Sequence, residues 1–277
     1  MKPKLLTTIA LLMLATTFAL PLAGQTLKPK KQSKITYHNG QVMLGTNHLY
    51  FIMYGNWEGS NTPDDLVQFA ISLNESSYTN INTTYYDAFG ARVSNSYMWG
   101  RNTDDLYSRG TNLTDADVEA IVNRSIMNGQ LPHDPQGLYF VVASPDVDAA
   151  GLCTDYCEFH DVVSIAGVGV KYAFIGNPQR CPSKCAPQLS GPSGNYATDA
   201  IINWVAHNIA GMVTSPNLDG WFDRLGRENS DKCVGIFGPT YQAPNGTLAN
   251  INLRGRDYLL QYNWVNDGNG YCALTYP

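Results

Sequence analysis

The chain has 277 residues, 44% of them hydrophobic and 15% charged, with 18 basic side chains against 23 acidic ones for a net charge of −5. That length can bury a substantial core, and a single domain is the expectation. The acidic balance argues against nucleic acid or an anionic membrane as a partner, since each asks for a basic face.

At the N-terminus, Lys2 and Lys4 precede an almost uninterrupted apolar run from Leu5 to Leu20, which ends at Pro21-Leu22-Ala23-Gly24. This is the order of a cleavable secretory signal, with the cut near Gly24. The run is too short to span a bilayer comfortably, and no later stretch approaches the roughly 20 apolar residues of a transmembrane helix. A secreted, extracellular protein with no membrane span after cleavage is therefore expected. Loss of residues 1–24 leaves 253 residues with 16 basic and 23 acidic side chains, a net charge of −7. Residues 25–34, with Lys28, Lys30, Lys31 and Lys34 around Pro29, read as a solvated basic linker, and residues 35–277 as the domain.

The domain opens with Ile35 to His38 and Gln41 to Leu44 around Asn39-Gly40, the dipeptide that best supplies a type I′ hairpin turn. His48 to Tyr54 is aromatic and β-favouring, and Thr62-Pro63 then starts a helix through Leu66, Phe69, Ala70 and Leu73. Asn80 to Phe89 and Arg92 to Trp99 read as strands. Thr114 to Asp117 opens a second helix carried by Val118, Ile121, Val122 and Ile126 and stopped at Asn128-Gly129. Leu138 to Ala143 has the continuous apolar character of a buried strand. Asp161 to Gly176 is a long β-like segment interrupted by Gly167 and Gly169. A third helix starts at Thr198 or Asp199, with Ile201, Trp204, Val205, Ile209 and Met212 as its apolar stripe and Asn203, His207 and Gly211 on another face. Tyr258 to Val265 reads as a last strand. Strand pairs alternating with helices give an α/β class with a mixed sheet.

The six cysteines, Cys153, Cys157, Cys181, Cys185, Cys233 and Cys272, all lie in the second half. An even count in an exported chain reads as three disulfides, with the pairing left open and Cys233 with Cys272 as one clamp on the C-terminal region. The two C-x3-C pairs also admit a four-thiolate zinc site as the competing reading. N-x-[ST] sequons stand at Asn74, Asn82, Asn112, Asn123 and Asn245.

Five blocks, in order, carry a resemblance: Tyr37-His38-Asn39-Gly40, Tyr54-Gly55-Asn56-Trp57, Cys153 to His160, Cys181 to Ala186, and Ala206 to Trp221. They resemble the Exordium family, also called the phosphate-induced protein 1 family, from about Ile35 to Cys272, and this chain looks like a microbial or otherwise divergent member. The resemblance implies a secreted protein, of a kind known chiefly from plants as apoplastic and linked to cell expansion and growth control. The order of elements and the cysteines give the expected fold: a single-domain mixed-sheet sandwich, zincin-like in element order, with a disulfide-braced C-terminal half.

Within the family, the segment matching Ala206 to Gly211 usually resembles Ala-His-Glu-Leu-Ala-Glu, which is similar to the zinc helix of metallopeptidases. That chemistry needs His207 as a ligand, a neighbouring glutamate as general base and a second ligand one turn on. Asn208 stands at the base position and Gly211 at the ligand position, so both roles are empty. Downstream Glu228, Asp231 and Cys233 match a pattern of microbial relatives, and His207, Glu228 and Asp231 are the metal candidates. The favoured reading has no catalytic residues and no cofactor, with zinc as the alternative. His133 and His160 read as structural. No G-x-S-x-G elbow, P-loop or dinucleotide fingerprint is present.

Three function classes follow: a non-catalytic secreted regulator of the Exordium type, a divergent zinc-dependent hydrolase, and an extracellular carbohydrate-binding module. For the last, Tyr54 and Trp57 are the groove candidates within an aromatic-rich stretch. Extracellular or cell-wall components are the expected partners.

Overall fold

The computed structural model describes residues 34–277. The leader, its cleavage point and the linker lysines other than Lys34 lie outside the described residues.

The centre is a five-stranded sheet. Its strands are β1 (Asn47–Tyr54), β2 (Tyr97–Asp105), β3 (Gly137–Ala143), β4 (Glu158–Ile165) and β5 (Val168–Ile175). They lie in the order β2-β1-β3-β5-β4, with every neighbour parallel except the antiparallel β4 at one edge. Three helices matter here: α1 (Thr62–Leu73), α2 (Asp115–Met127) and α3 (Tyr196–Thr214).

Strand alternation sets the layers. Leu49, Phe51 and Met53 point to one face and join the core that α1 and α3 cover, while Tyr50, Ile52 and Tyr54 point to the other and join the core under α2. Because β2 and β3 flank β1 on opposite sides, right-handed crossovers send α1 and α2 to opposite faces of the sheet. With both faces covered, β3 is buried at every position, as the apolar run Leu138 to Ala143 suggests. The mixed sheet and the disulfide-braced C-terminal half agree with the sequence reading. Among the described residues, no helix is long and apolar enough to cross a membrane.

Several local expectations change. Asn39 takes the left-handed conformation (φ 69°), but no hairpin forms there: Thr36–Tyr37 pairs instead with Trp221–Phe222. Gly40 is needed for another reason, since a Cβ would lie 2.4 Å from the Asp219 backbone. The two-residue hairpin falls at Ala166-Gly167, where φ is 47° and 81° and Ile165 pairs with Val168. The long segment from Asp161 is therefore two strands, β4 and β5.

Residues 79–84 form a 3-10 helix rather than a strand. Its threonines bond back into the local backbone, Thr83 Oγ1 to Asn80 O and Thr84 Oγ1 to Ile81 O, which competes with a sheet ladder. The strand that follows starts only at Tyr97 and runs on through the polar residues to Asp105. It is the sheet's other edge and is largely exposed, so it lacks an apolar signature. Tyr258 and Val265 belong to two separate short hairpins, Ile251–Leu253 with Arg256–Tyr258 and Asn263–Val265 with Tyr271–Ala273.

All six cysteines are bridged, Cys153–Cys181, Cys157–Cys185 and Cys233–Cys272, which rules out a four-thiolate zinc centre in this structure. The first two bridges tie the loop that leads into β4 to the helical turn Pro182–Cys185 ahead of α3.

Candidate functional site

α3 is almost wholly buried, and its start is fixed by Asn195, whose side-chain oxygen accepts from the Ala197 and Thr198 amides. The helix therefore begins earlier than the Thr198 or Asp199 cap expected from sequence. It packs against the sheet face beside β4 and β5, and this places His207 opposite the start of β4.

His207 is 5% exposed. Its Nδ1 lies 3.3 Å from Gln261 Oε1, and Gln261 Nε2 is committed to Ser230 O at 3.1 Å. That orientation makes Oε1 an acceptor, so Nδ1 carries a proton. On the other side of the ring, Nε2 faces only carboxylate oxygens, Asp231 Oδ1 at 3.2 Å and Glu158 Oε1 at 3.6 Å. A carboxylate can only accept, so Nε2 donates as well and the ring is an imidazolium. Burial pulls the His207 pKa down, but the Glu158 and Asp231 carboxylates outweigh it and lift it to about 9. Burial likewise raises Asp231, yet its bond to His207 holds it below the usual range.

His160 completes the arrangement from β4. Its Nε2 lies 2.8 Å from Glu228 Oε2, and although burial depresses its pKa, the Glu228 bond and charge raise it overall. Glu158 and His160 stand two apart on one strand and so share a face. Glu228 and Asp231 come from the loop after α3, where the Glu228 amide donates to Asp231 Oδ2 at 2.9 Å. The predicted trio His207, Glu228 and Asp231 is thus brought together, and His160 and Glu158, which sequence reasoning set aside or passed over, join it. The alternation Glu158-x-His160 was the available signal.

The two departures from the zinc-helix pattern acquire a geometry. Asn208 is fully buried, and its Nδ2 donates to Trp204 O one turn back at 2.8 Å, so this carboxamide is turned into its own helix. Gly211, one turn past His207, is where the His160–Glu228 pair packs. A Cβ there would lie 2.4 Å from Glu228 Oε2 and 2.6 Å from His160 Nε2. The His160–Glu228 pair fills the room that a second ligand side chain would need.

Nor do the acids and histidines converge on a common point. Among the described residues, the one group of three candidate donor atoms within 4.8 Å of one another is the sulfurs of Cys153, Cys181 and Cys185, which are in disulfides. The imidazoles and carboxylates alternate instead.

The other candidates sit apart. Tyr54 is fully buried, with its hydroxyl donating to Gly110 O and accepting from the Arg109 amide, so it offers no ring face to a groove. Trp57 is partly buried against the main core. His133 lies on the surface near Tyr50 and Arg101, remote in sequence and structure from the cluster.

These features define a disulfide-braced α/β protein whose helix–sheet seam holds alternating histidines and carboxylates. Residues 35–267 match the family described as "Phosphate-induced protein 1 conserved region", and the chain belongs to that family. It is 28% identical to "Protein EXORDIUM-like 3" of Arabidopsis thaliana, over 87% of this chain and 82% of that protein. It is 26% identical to "Protein EXORDIUM-like 5" of the same plant, over 83% of this chain and 75% of that protein. No solved structure matches it.

Proposed function

We propose that this protein is exported and acts outside the cell without catalysis, as an Exordium-like protein of the kind linked to cell growth and expansion. The observation that carries the non-catalytic reading is at Asn208 and Gly211. The residue at the general-base position is an amide bonded into its own helix, and the second-ligand position is filled by the His160–Glu228 pair. The Asn208 amide cannot take a proton from a metal-activated water, and Gly211 offers no side chain to hold the metal. Export is supported by the signal-like leader and by six bridged cysteines, since disulfides persist in oxidising compartments. Extracellular or cell-wall components are the partner class this reading implies.

Zinc is the competing reading, with His207, Asp231 and Glu228 as its ligands. Those residues do not fit a metal as they stand, because each imidazole Nε2 already faces a carboxylate and the donors do not gather at one point. Elemental analysis and peptidase assays on natively secreted protein test the proposal. The expected outcome is substoichiometric zinc and no chelator-sensitive activity. One zinc per chain that is lost in His207→Ala would overturn it.

A further inference from the structure

Eight residues before His207, in the first turn of α3, Asp199 forms part of a separate cavity of about 320 Å³. Its wall comes from five segments: Asp65 on α1, Ser193 in the loop ahead of α3, Asp199 on α3, Asn245 in the loop ahead of the last hairpins, and Arg256, Asp257 and Tyr258 on one strand. The molecule thus gathers three carboxylates and one guanidinium around a space large enough for a small ligand.

The formal charges in this cavity do not balance. Arg256 Nη1 is taken up by Asp65 Oδ1 at 2.9 Å. Asp257 Oδ1 accepts from Tyr241 Oη at 2.7 Å and from Asn252 Nδ2 at 2.8 Å. Asp199, 6% exposed, has only neutral donors: the Ser193 hydroxyl at 2.9 Å and the Ser193 amide at 3.2 Å. The first turn of α3 adds only partial positive charge. A buried carboxylate without a counter-cation is costly, and burial, with Asp65 adding to it, pushes the Asp199 pKa up to about 6. A second group in the same wall is also unsatisfied. The Tyr258 hydroxyl, on a residue 4% exposed, lies near the Ser72 and Arg256 side chains without a hydrogen bond of normal geometry to either.

We propose that this cavity binds a small organic cation bearing N–H groups, a primary ammonium or a guanidinium, whose charge lies against Asp199 and which donates to the Tyr258 oxygen. A neutral polyol could satisfy hydroxyls but leaves the Asp199 charge uncompensated. An anion would meet a net negative wall. A charge-assisted N–H···O bond to a carboxylate answers both deficits at once. The inference is independent of export and of the histidine cluster.

The test is calorimetric titration of the full folded domain at neutral pH with n-butylammonium, methylguanidinium, tetramethylammonium and glucose. Saturable binding of the first two is expected, with tetramethylammonium, which has no N–H, at least tenfold weaker and glucose silent. Asp199→Asn, which keeps an acceptor for Ser193, is expected to weaken n-butylammonium at least tenfold. No saturable n-butylammonium binding by the wild type, equal binding of tetramethylammonium or glucose, or unchanged affinity in the variant would each overturn the proposal. Should the variant not fold, carboxyl-carbon NMR on the wild type decides: the Asp199 titration midpoint falls when n-butylammonium saturates, and an unmoved midpoint refutes the site.

Discussion

Around His207, midway along α3, two imidazole rings face three carboxylates, and each ring has a carboxylate in contact. Around Asp199, about 12 Å nearer the helix N-terminus, a carboxylate buried to a similar depth is held by one serine alone. Helix, burial and solvent exclusion are shared, so depth does not separate the two places. Charge pairing does. The first arrangement closes on itself and works as an internal tie between α3, β4 and the following loop. The second leaves a charge that something from outside can meet.

His207→Ala attacks the closed cluster most directly. It leaves Glu158 facing Asp231, whose side chain is 40% exposed, across the vacated space, and the expected loss is about 1–3 kcal/mol, between an exposed and a buried pair, read from denaturant unfolding. A loss below about 1 kcal/mol, the range of an exposed pair, would show that the cluster is solvated in practice. Gly211→Ala asks whether the His160–Glu228 pair needs the glycine. Alanine is the better helix former by about 1 kcal/mol, yet its methyl overlaps both side chains, so a net loss of about 1–3 kcal/mol from overpacking is expected. A gain in stability would mean that the pair moves aside freely.

Asp199→Asn should move stability the other way, and by less. A carboxyl whose folded pKa, about 6, exceeds its ordinary value of 3.8 binds its proton more tightly when folded. Stability contributed by that proton is present below pH 3.8 and is lost as pH rises through 6. The groups facing it are Asp65, Asp257, Arg256 and Tyr258, and they are unchanged by the substitution. The asparagine variant is therefore expected to lack the decline between pH 4 and 6 and to be more stable than wild type by about 1–2 kcal/mol at pH 7. Melting curves across that range check it, and an identical pH profile in both proteins would remove the contrast between the two clusters.

Much of the scaffold was legible because burial on two faces leaves a periodic trace. The apolar run Leu138 to Ala143 and the stripes of α1 and α2 become the strand and helices they suggest. The misreadings share a cause, which is that a local signal was satisfied by a distant partner. Asn39-Gly40 docks on the Asp219 backbone instead of turning a hairpin. The actual hairpin is made by Ala166-Gly167, a pair with a weaker preference for positive φ.

At the site, His207, Glu228 and Asp231 could be nominated from the motif. Glu158 and His160 required knowing that β4 is the edge strand beside α3. The Asp199 cavity had no sequence signature at all, because its wall is assembled from segments between Asp65 and Tyr258 that no spacing rule connects.

The paired bridges Cys153–Cys181 and Cys157–Cys185 sit at the start of the strand that carries half of the histidine cluster. Cys157 immediately precedes Glu158, and Cys185 O accepts from Trp204 Nε1 on α3 at 2.8 Å. The covalent staple thus ties the strand that carries Glu158 and His160 to the turn Pro182–Cys185, which a hydrogen bond links to the helix that carries His207. In a chain whose thiols are still reduced, the two halves of the histidine cluster are held by non-covalent contacts alone. Oxidation shortens the chain path between them, so the ionic seam is reinforced only after the molecule has met an oxidising environment.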